Sequence, residues 1–178
     1  MQLQSLEVGK RFAYARREWI LLDRHEDRHL CVCAECDGAR QFDRGMTARF
    51  DQGALCEWLN GEYYTGLIRD GASAIDFSPL MMHLGMSTTE GDCIYTKRVG
   101  ILSLHQWRRF MTGGEAARQP VWRWQWTCTI SEGIFGQGLC CVAGKSGNYV
   151  YYPPNHPEPL VRPAVCLRGW AEVLQGER

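Results

Sequence analysis

The stretch REWILLDRHEDRHLCVCAEC, residues 17–36, contains two short runs of strand-forming residues separated by a polar turn. The first run is REWILLD (17–23), and the second is RHLCVCAEC (28–36). Polar residues between two such runs are typical of the turn of a β-hairpin. We therefore predict an antiparallel strand pair here.

The second run of this hairpin is apolar on both faces of the predicted strand. Leu30 and Val32 would share one face, and Cys31 and Cys33 would share the other, because successive side chains on a strand alternate. Free cysteine packs like a small hydrophobic residue and is among the residue types most often buried. The pattern predicts a strand in the interior of a sheet.

The same stretch also contains side chains that bind zinc. The candidate ligands are His25, His29, Cys31, Cys33 and Cys36. Structural zinc sites usually take pairs of ligands from two tight knuckles, and Cys33-x2-Cys36 is one such knuckle with no second one elsewhere in the chain. The buried-strand interpretation explains more of the pattern, so we expect no bound metal and no cofactor.

Two later segments predict helices. In residues 51–68 apolar side chains recur at helical spacing, Asp51 could cap the start and Gly61 could end the helix. In SLHQWRRFM (103–111), Ser103 and Gln106 have the spacing of a capping box. Residues 70–92 lack a clear period and predict a loop.

Most other segments are strand-like. The further strands are predicted at 92–102, 121–128, 138–144, 148–152 and 161–167. Two short helices beside mostly antiparallel strands predict an α+β fold, and 178 residues without a linker predict a single domain over residues 1–178.

The strand VWRWQWTC (121–128) alternates strictly between tryptophan and polar residues. Trp122, Trp124 and Trp126 would form one face. A core position is the favoured interpretation, because soluble proteins seldom expose so much contiguous aromatic area, and a recognition surface is the alternative. The opposite face, with Arg123 and Gln125, would then be polar and available to a partner.

The segment NYVYYPPNH (148–156) is the strongest candidate for an interface. Tyrosine, asparagine and proline in a turn-rich segment give rigid, amphipathic contacts at low entropic cost, whereas the alternative is a hairpin with an aromatic cross-strand pair. The predicted partner-binding residues are Asn148, Tyr149, Tyr151, Tyr152, Asn155, His156, Arg123 and Gln125.

Composition restricts the classes of function. Lys plus Arg equals Asp plus Glu at 20 each, so no overall field favours nucleic acid, and direct nucleic-acid binding is not expected. No apolar run approaches the roughly 18 residues of a membrane span. Nine cysteines without an export signal predict a cytoplasmic protein with free thiols. The sequence contains no recognised catalytic motif, although a cysteine close to His83, His105 or His156 could act as a nucleophile.

The order of motifs resembles a family of domains of uncharacterised function that is common in gut Firmicutes and their phages. The motifs are a W-x-V-L-type strand pair in VGKRFAYARREWILLD (8–23), W-L-N at 58–60, GILSLHQWRRF (100–110), VWRWQW (121–126) and R-P-A at 162–164. The resemblance spans roughly residues 6 to 168. In this chain His105 to Trp107 stands where the family usually has an acidic residue. The last strands also look like those of C-type-lectin-like folds.

This resemblance implies a fold and a phage or mobile-element setting, and it supplies no catalytic residues. Together with the aromatic composition, it predicts a non-enzymatic binding module that recognises a macromolecular partner. A host protein is the first candidate, for example a bacterial defence protein such as a CRISPR nuclease. A lectin-like carbohydrate-binding module is the alternative, and a zinc- or thiol-dependent enzyme is the third interpretation.

Overall fold

The structure is a computed structural model that describes residues 1–84, 93–95, 98–111, 123–132, 138–144 and 148–176. It combines two helical regions with mostly antiparallel sheets, which confirms the predicted α+β class. The strands are β1 Arg11–Tyr14, β2 Arg17–His25, β3 Arg28–Cys33, β4 Phe77–Ser78, β5 Met81–His83, β6 Cys93–Tyr95, β7 Val99–Gly100, β8 Gln125–Glu132, β9 Gly138–Ala143, β10 Tyr149–Tyr152, β11 Ala164–Arg168 and β12 Leu174–Gln175.

A seven-stranded sheet forms the larger part of the molecule. Its strand order is β12-β1-β2-β3-β11-β4, and β7 also pairs with β11. The predicted hairpin is confirmed as β2 and β3, which pair antiparallel. Because β11 covers the other edge of β3, that strand lies in the middle of the sheet, with Cys31 and Val32 fully buried.

A buried arginine joins the segment before β11 to the end of β3. Arg162 is 2 % exposed, and its Nε and Nη2 atoms donate to the carbonyl oxygens of Cys33 and Ala34 at 2.8 and 2.7 Å. These two residues follow Val32, the last residue of β3 that pairs with β11, and the guanidinium supplies the hydrogen-bond donors that a paired strand would otherwise supply. Burial lowers the pKa of Arg162 from its ordinary value.

The first helical region is longer than predicted. It runs without a break through α1 (Ala54–Trp58), a π-helical turn (Leu59–Tyr63) and α2 (Tyr64–Arg69). The prediction that Gly61 ends the helix is wrong, because Gly61 lies inside the π-helical turn. The left-handed residue that follows the helix is Gly71, with φ +107°.

The start of this helix is also stabilised differently from the prediction. The Asp51 carboxylate pairs with Arg49 rather than capping the helix. Asp43 supplies an acceptor instead: one carboxylate oxygen accepts from the backbone N–H of Ala54 at the helix start, and the other accepts from that of Thr47 in the preceding loop, each at 3.0 Å. Burial acts to raise the pKa of Asp43, but bonds from backbone N–H groups outweigh it and lower that pKa.

The π-helical turn carries Asn60, the asparagine of the W-L-N motif, to β7. Its side-chain nitrogen donates to the Val99 carbonyl at 2.9 Å, and its side-chain oxygen accepts from the N–H groups of Arg98 and Val99. One amide therefore satisfies a short strand that has little pairing of its own.

The second helix is α3 (Leu104–Met111), and its predicted capping box is confirmed. The Ser103 hydroxyl accepts from the N–H of Gln106 at 3.2 Å, and the Gln106 side chain accepts from the N–H of Ser103 at 3.0 Å. Leu104, Trp107 and Met111 are buried. The loop predicted at 70–92 is partly wrong, because β4 and β5 form within it, and residues 85–92 lie outside the described part of the chain.

Strands β8, β9 and β10 form a three-stranded antiparallel sheet in the order β10-β9-β8. Strands β5 and β6 form a separate pair. Residues 112–122, which include Trp122, and residues 145–147 lie outside the structural description. Among the residues that the structure describes, no helix has the length and apolar character needed to span a membrane.

Candidate functional site

Strand β10 presents three of the predicted partner-binding tyrosines on two different faces. Tyr149 and Tyr151 share one face, where their rings meet edge to face with centroids 5.6 Å apart. The Arg108 guanidinium of α3 lies 4.8 Å from the centre of the Tyr149 ring. We call Tyr149, Tyr151 and Arg108 the tyrosine surface.

Every side chain of β10 is half-buried. All four pack against buried residues of the core and keep part of their surface in solvent. The rings of the tyrosine surface are therefore positioned by packing and by the cation–π contact with Arg108, yet they remain reachable. The two tyrosines pair with each other along β10 and not with an aromatic residue across the sheet, because the residues opposite them on β9 are Ala143 and Cys141.

Tyr152 and His156 form a second aromatic pair, on the other face of β10. Their rings are stacked at 13° with centroids 4.2 Å apart, and both residues are half-buried. This stack lies where the chain turns through Pro153 and Pro154. The structure thus divides the predicted set of aromatic contacts between two faces of one strand.

The polar residues among the predicted partner-binding residues do not lie together. Asn148, Asn155 and Arg123 are exposed. The Asn155 carbonyl accepts from the Gln41 side chain at 2.8 Å, and the Asn148 carbonyl accepts from the Gly144 N–H at 2.9 Å.

The prediction that Gln125 is available to a partner is wrong. Gln125 is 0 % exposed, and Thr127 on the same face of β8 is also fully buried. Trp126, on the other face, is 1 % exposed, and its indole N–H donates to the Arg40 carbonyl at 2.7 Å. Strand β8 is therefore buried on both faces at these positions, and the core interpretation is confirmed for Trp126. Trp124 is half-buried.

The five candidate metal ligands do not assemble into a site. His29, Cys31 and Cys33 lie on one face of β3 and are buried, whereas His25 is exposed at the end of β2 and Cys36 lies beyond the strand. Within the described ranges no group of three or more His, Cys, Asp or Glu side chains could hold a metal ion. Burial raises the pKa of Cys36 to about 11, so this thiol stays protonated near neutral pH.

A cleft with a volume of about 300 Å³ lies between the seven-stranded sheet and α3, and sequence reasoning missed it. Its floor is formed by Leu30 and Cys166, which are cross-strand neighbours on β3 and β11, together with Leu80 and Phe110. Its polar lining includes Asp23, His25, Arg28, His105 and Arg109. No local motif predicts this set, because five separate segments contribute to it.

The cleft contains a cysteine and a histidine, Cys166 and His105, which bears on the thiol-enzyme interpretation. Cys166 is only 7 % exposed, and burial raises its pKa to about 11. Reactive cysteines have lowered pKa values, because the thiolate is the nucleophile. The environment of Cys166 is thus that of a packed thiol in an apolar floor.

Comparison of the chain with protein-family models, with curated protein sequences and with solved structures found no match. The resemblance to the phage-associated domain family, and the setting that it implies, therefore stay predictions.

Proposed function

We propose that the protein is a non-enzymatic binding module that recognises a protein partner through the tyrosine surface. The observation that carries this proposal is the pairing of Tyr149 and Tyr151 beside Arg108, on a strand whose side chains are all half-buried. Tyrosine and arginine are the residue types enriched where binding energy concentrates in protein interfaces.

Positioning of the rings before binding supports this proposal. Each tyrosine side chain that loses freedom on association costs binding free energy, on the order of 0.5–1.5 kcal/mol per rotamer-rich side chain. Here packing on the core and contact with Arg108 already restrict the rings. Most of the conformational entropy of these two side chains is therefore already lost on folding. The exposed part of each ring can then contribute to affinity.

A protein partner fits this surface better than a nucleic acid does. The tyrosine surface has a single cation and lies in a chain whose formal net charge is zero, so it lacks the dense positive charge that phosphate backbones require. The resemblance to a phage-associated family makes bacterial defence proteins, such as a CRISPR nuclease, the first partners to try.

The test is partner capture with a matched aromatic control. The double variant Tyr149→Ala/Tyr151→Ala removes both rings, whereas Trp170→Ala removes an exposed aromatic that lies outside the tyrosine surface. Tagged forms of the unchanged protein and both variants are incubated with bacterial lysate, and captured proteins are quantified by mass spectrometry. We expect a partner that the unchanged protein and Trp170→Ala retain and the double variant loses.

The affinity for the purified partner then gives the size of the effect. Loss of two central aromatic residues should weaken binding by at least tenfold in calorimetry, since residues of this kind typically contribute 2 kcal/mol or more. Equal affinity for the double variant would contradict the proposal. Binding of glycans on an array, lost in the same variant, would instead favour the lectin-like alternative.

A further inference from the structure

The cleft beside α3 has the dimensions and the lining of a small-molecule site. Ligand pockets are usually about 300–1,000 Å³ in volume, mostly apolar, with a few polar groups that orient the ligand. The cleft has a volume of about 300 Å³ and an apolar floor of Leu30, Leu80, Phe110 and Cys166. It therefore suits a small ligand with an apolar part.

The charged groups around this floor leave one arginine without a counter-charge. The Nη2 atom of Arg109 lies 3.6 Å from the Oδ2 atom of Asp23. Asp27, in the turn between β2 and β3, is paired with Arg168. The Arg28 side chain is half-buried, and it makes no hydrogen bond or ion pair to any residue that the structure describes. With two arginines and one aspartate, the formal charge of these groups is positive.

The position of Arg28 in the register places its charge next to the apolar floor. Arg28 begins β3, and Leu30 on the same face is the floor residue that lies opposite both Asp23 and Cys166. Removing a guanidinium from water is costly, so an unpaired arginine next to an apolar floor favours an anionic ligand. A planar guanidinium is also the best protein group for holding a carboxylate or a phosphate through two parallel hydrogen bonds.

We propose that this cleft binds a small organic anion, with its carboxylate or phosphate group at Arg28 and its apolar part on the floor around Leu30 and Phe110. Arg109 and His105 flank the bound ligand from α3. This site is separate from the tyrosine surface and does not depend on the function proposed for it.

The first test uses three probes with the same six-carbon chain and different head groups: hexanoate, hexyl phosphate and hexanol. Binding to the full chain is measured by calorimetry and by shifts in amide NMR signals. We expect at least one anion to bind more than tenfold more tightly than hexanol, with affinity that falls as ionic strength rises. The stronger of the two anions identifies the head group.

Two matched arginine substitutions test whether Arg28 holds the head group of the anion. Arg28→Met keeps an apolar stem of similar length and removes the charge, and we expect it to weaken binding of the preferred anion at least tenfold while leaving hexanol unchanged. Arg123→Met removes an exposed arginine before β8 and should leave all three affinities unchanged. Thermal melting of both variants checks that they fold.

Three outcomes would overturn the proposal. They are equal binding of hexanol and the anions, unchanged anion affinity in folded Arg28→Met, and absence of anion binding in the unchanged protein. The double variant Tyr149→Ala/Tyr151→Ala should bind the anion normally, so failure of the cleft and failure of the tyrosine surface are distinguishable.

Discussion

Strands β3 and β10 are both short, and both are rich in residues that suggest chemistry, yet the fold uses them differently. The cysteines of β3 lie in the middle of a seven-stranded sheet with a strand on each side, whereas the tyrosines of β10 lie at one end of a three-stranded sheet. Cys31 and Cys33 are buried, and the side chains of β10 keep part of their surface in solvent. The number of neighbouring elements, rather than the residue type, decides which strand can reach a partner.

The largest expected difference between the two sheets that contain these strands is in the cost of truncating a side chain. Leu167→Ala in β11, beside β3, removes a fully buried side chain and should lower the free energy of unfolding by about 2–5 kcal/mol. Tyr151→Ala in β10 removes a half-buried one and should cost about 1–2 kcal/mol. Urea denaturation of both variants measures the difference, and similar costs would show that β10 contributes as much to stability as the centre of the seven-stranded sheet.

Removal of the buried arginine should have the next largest effect. Arg162→Met keeps much of the side-chain volume but leaves the carbonyls of Cys33 and Ala34 without their donors. Because a buried unsatisfied polar group costs roughly 1–3 kcal/mol, we expect a loss of about 2–3 kcal/mol in urea denaturation. A variant as stable as the unchanged protein would mean that other donors reach those carbonyls.

The buried histidine of β3 should make the seven-stranded sheet sensitive to acid. Burial, with repulsion from Arg24, lowers the pKa of His29, which is 2 % exposed. The unfolded chain then binds a proton below about pH 6.5 that the folded chain does not, so stability falls as the pH drops below that value until the lowered pKa is reached.

Replacement of this histidine tests the sign of the effect. His29→Leu should show a shallower loss of stability below pH 6.5 than the unchanged protein, measured by urea denaturation from pH 8 down to pH 5. An identical slope in the two proteins would show that His29 takes up a proton while the sheet remains folded.

The smallest expected change in stability is at the tyrosine surface. Arg108→Ala removes an exposed cation–π contact, which is worth about 0.5–1 kcal/mol. We nevertheless expect it to weaken partner binding several-fold, because Tyr149 loses the group that positions its ring. Calorimetry with the purified partner measures this, and unchanged affinity would remove Arg108 from the binding surface.

Local signals in the sequence predicted local structure well. The hairpin of β2 and β3 follows from two apolar runs around a polar turn, and the start of α3 follows from Ser103 and Gln106. Both depend on residues that are close in the chain. The composition of residues 148–156 likewise predicts the tyrosines of β10 as interface residues. Their division between two faces follows from the alternation of side chains along a strand.

The features that sequence reasoning missed depend on contacts between distant segments. Gln125 belongs to a strictly alternating strand, and that pattern predicts one exposed polar face; the structure buries both faces. Glycine commonly ends helices, yet this helix continues through Gly61. The π-helical turn at this position directs Asn60 toward β7. The cleft and the contact of Arg108 with Tyr149 likewise arise only when separate elements pack together.

The central position of β11 has a consequence for how the chain reaches its fold during synthesis. Strands β1 to β3 can pair as they emerge from the ribosome, but the residues that complete the sheet come much later: Arg162 is 129 positions from its partner Cys33. Until then one edge of β3, with its apolar side chains, has no covering strand. Such late closure is slow, and exposed strand edges promote aggregation. The nascent chain is thus the form of this protein in which the edge of β3 is most open to aggregation.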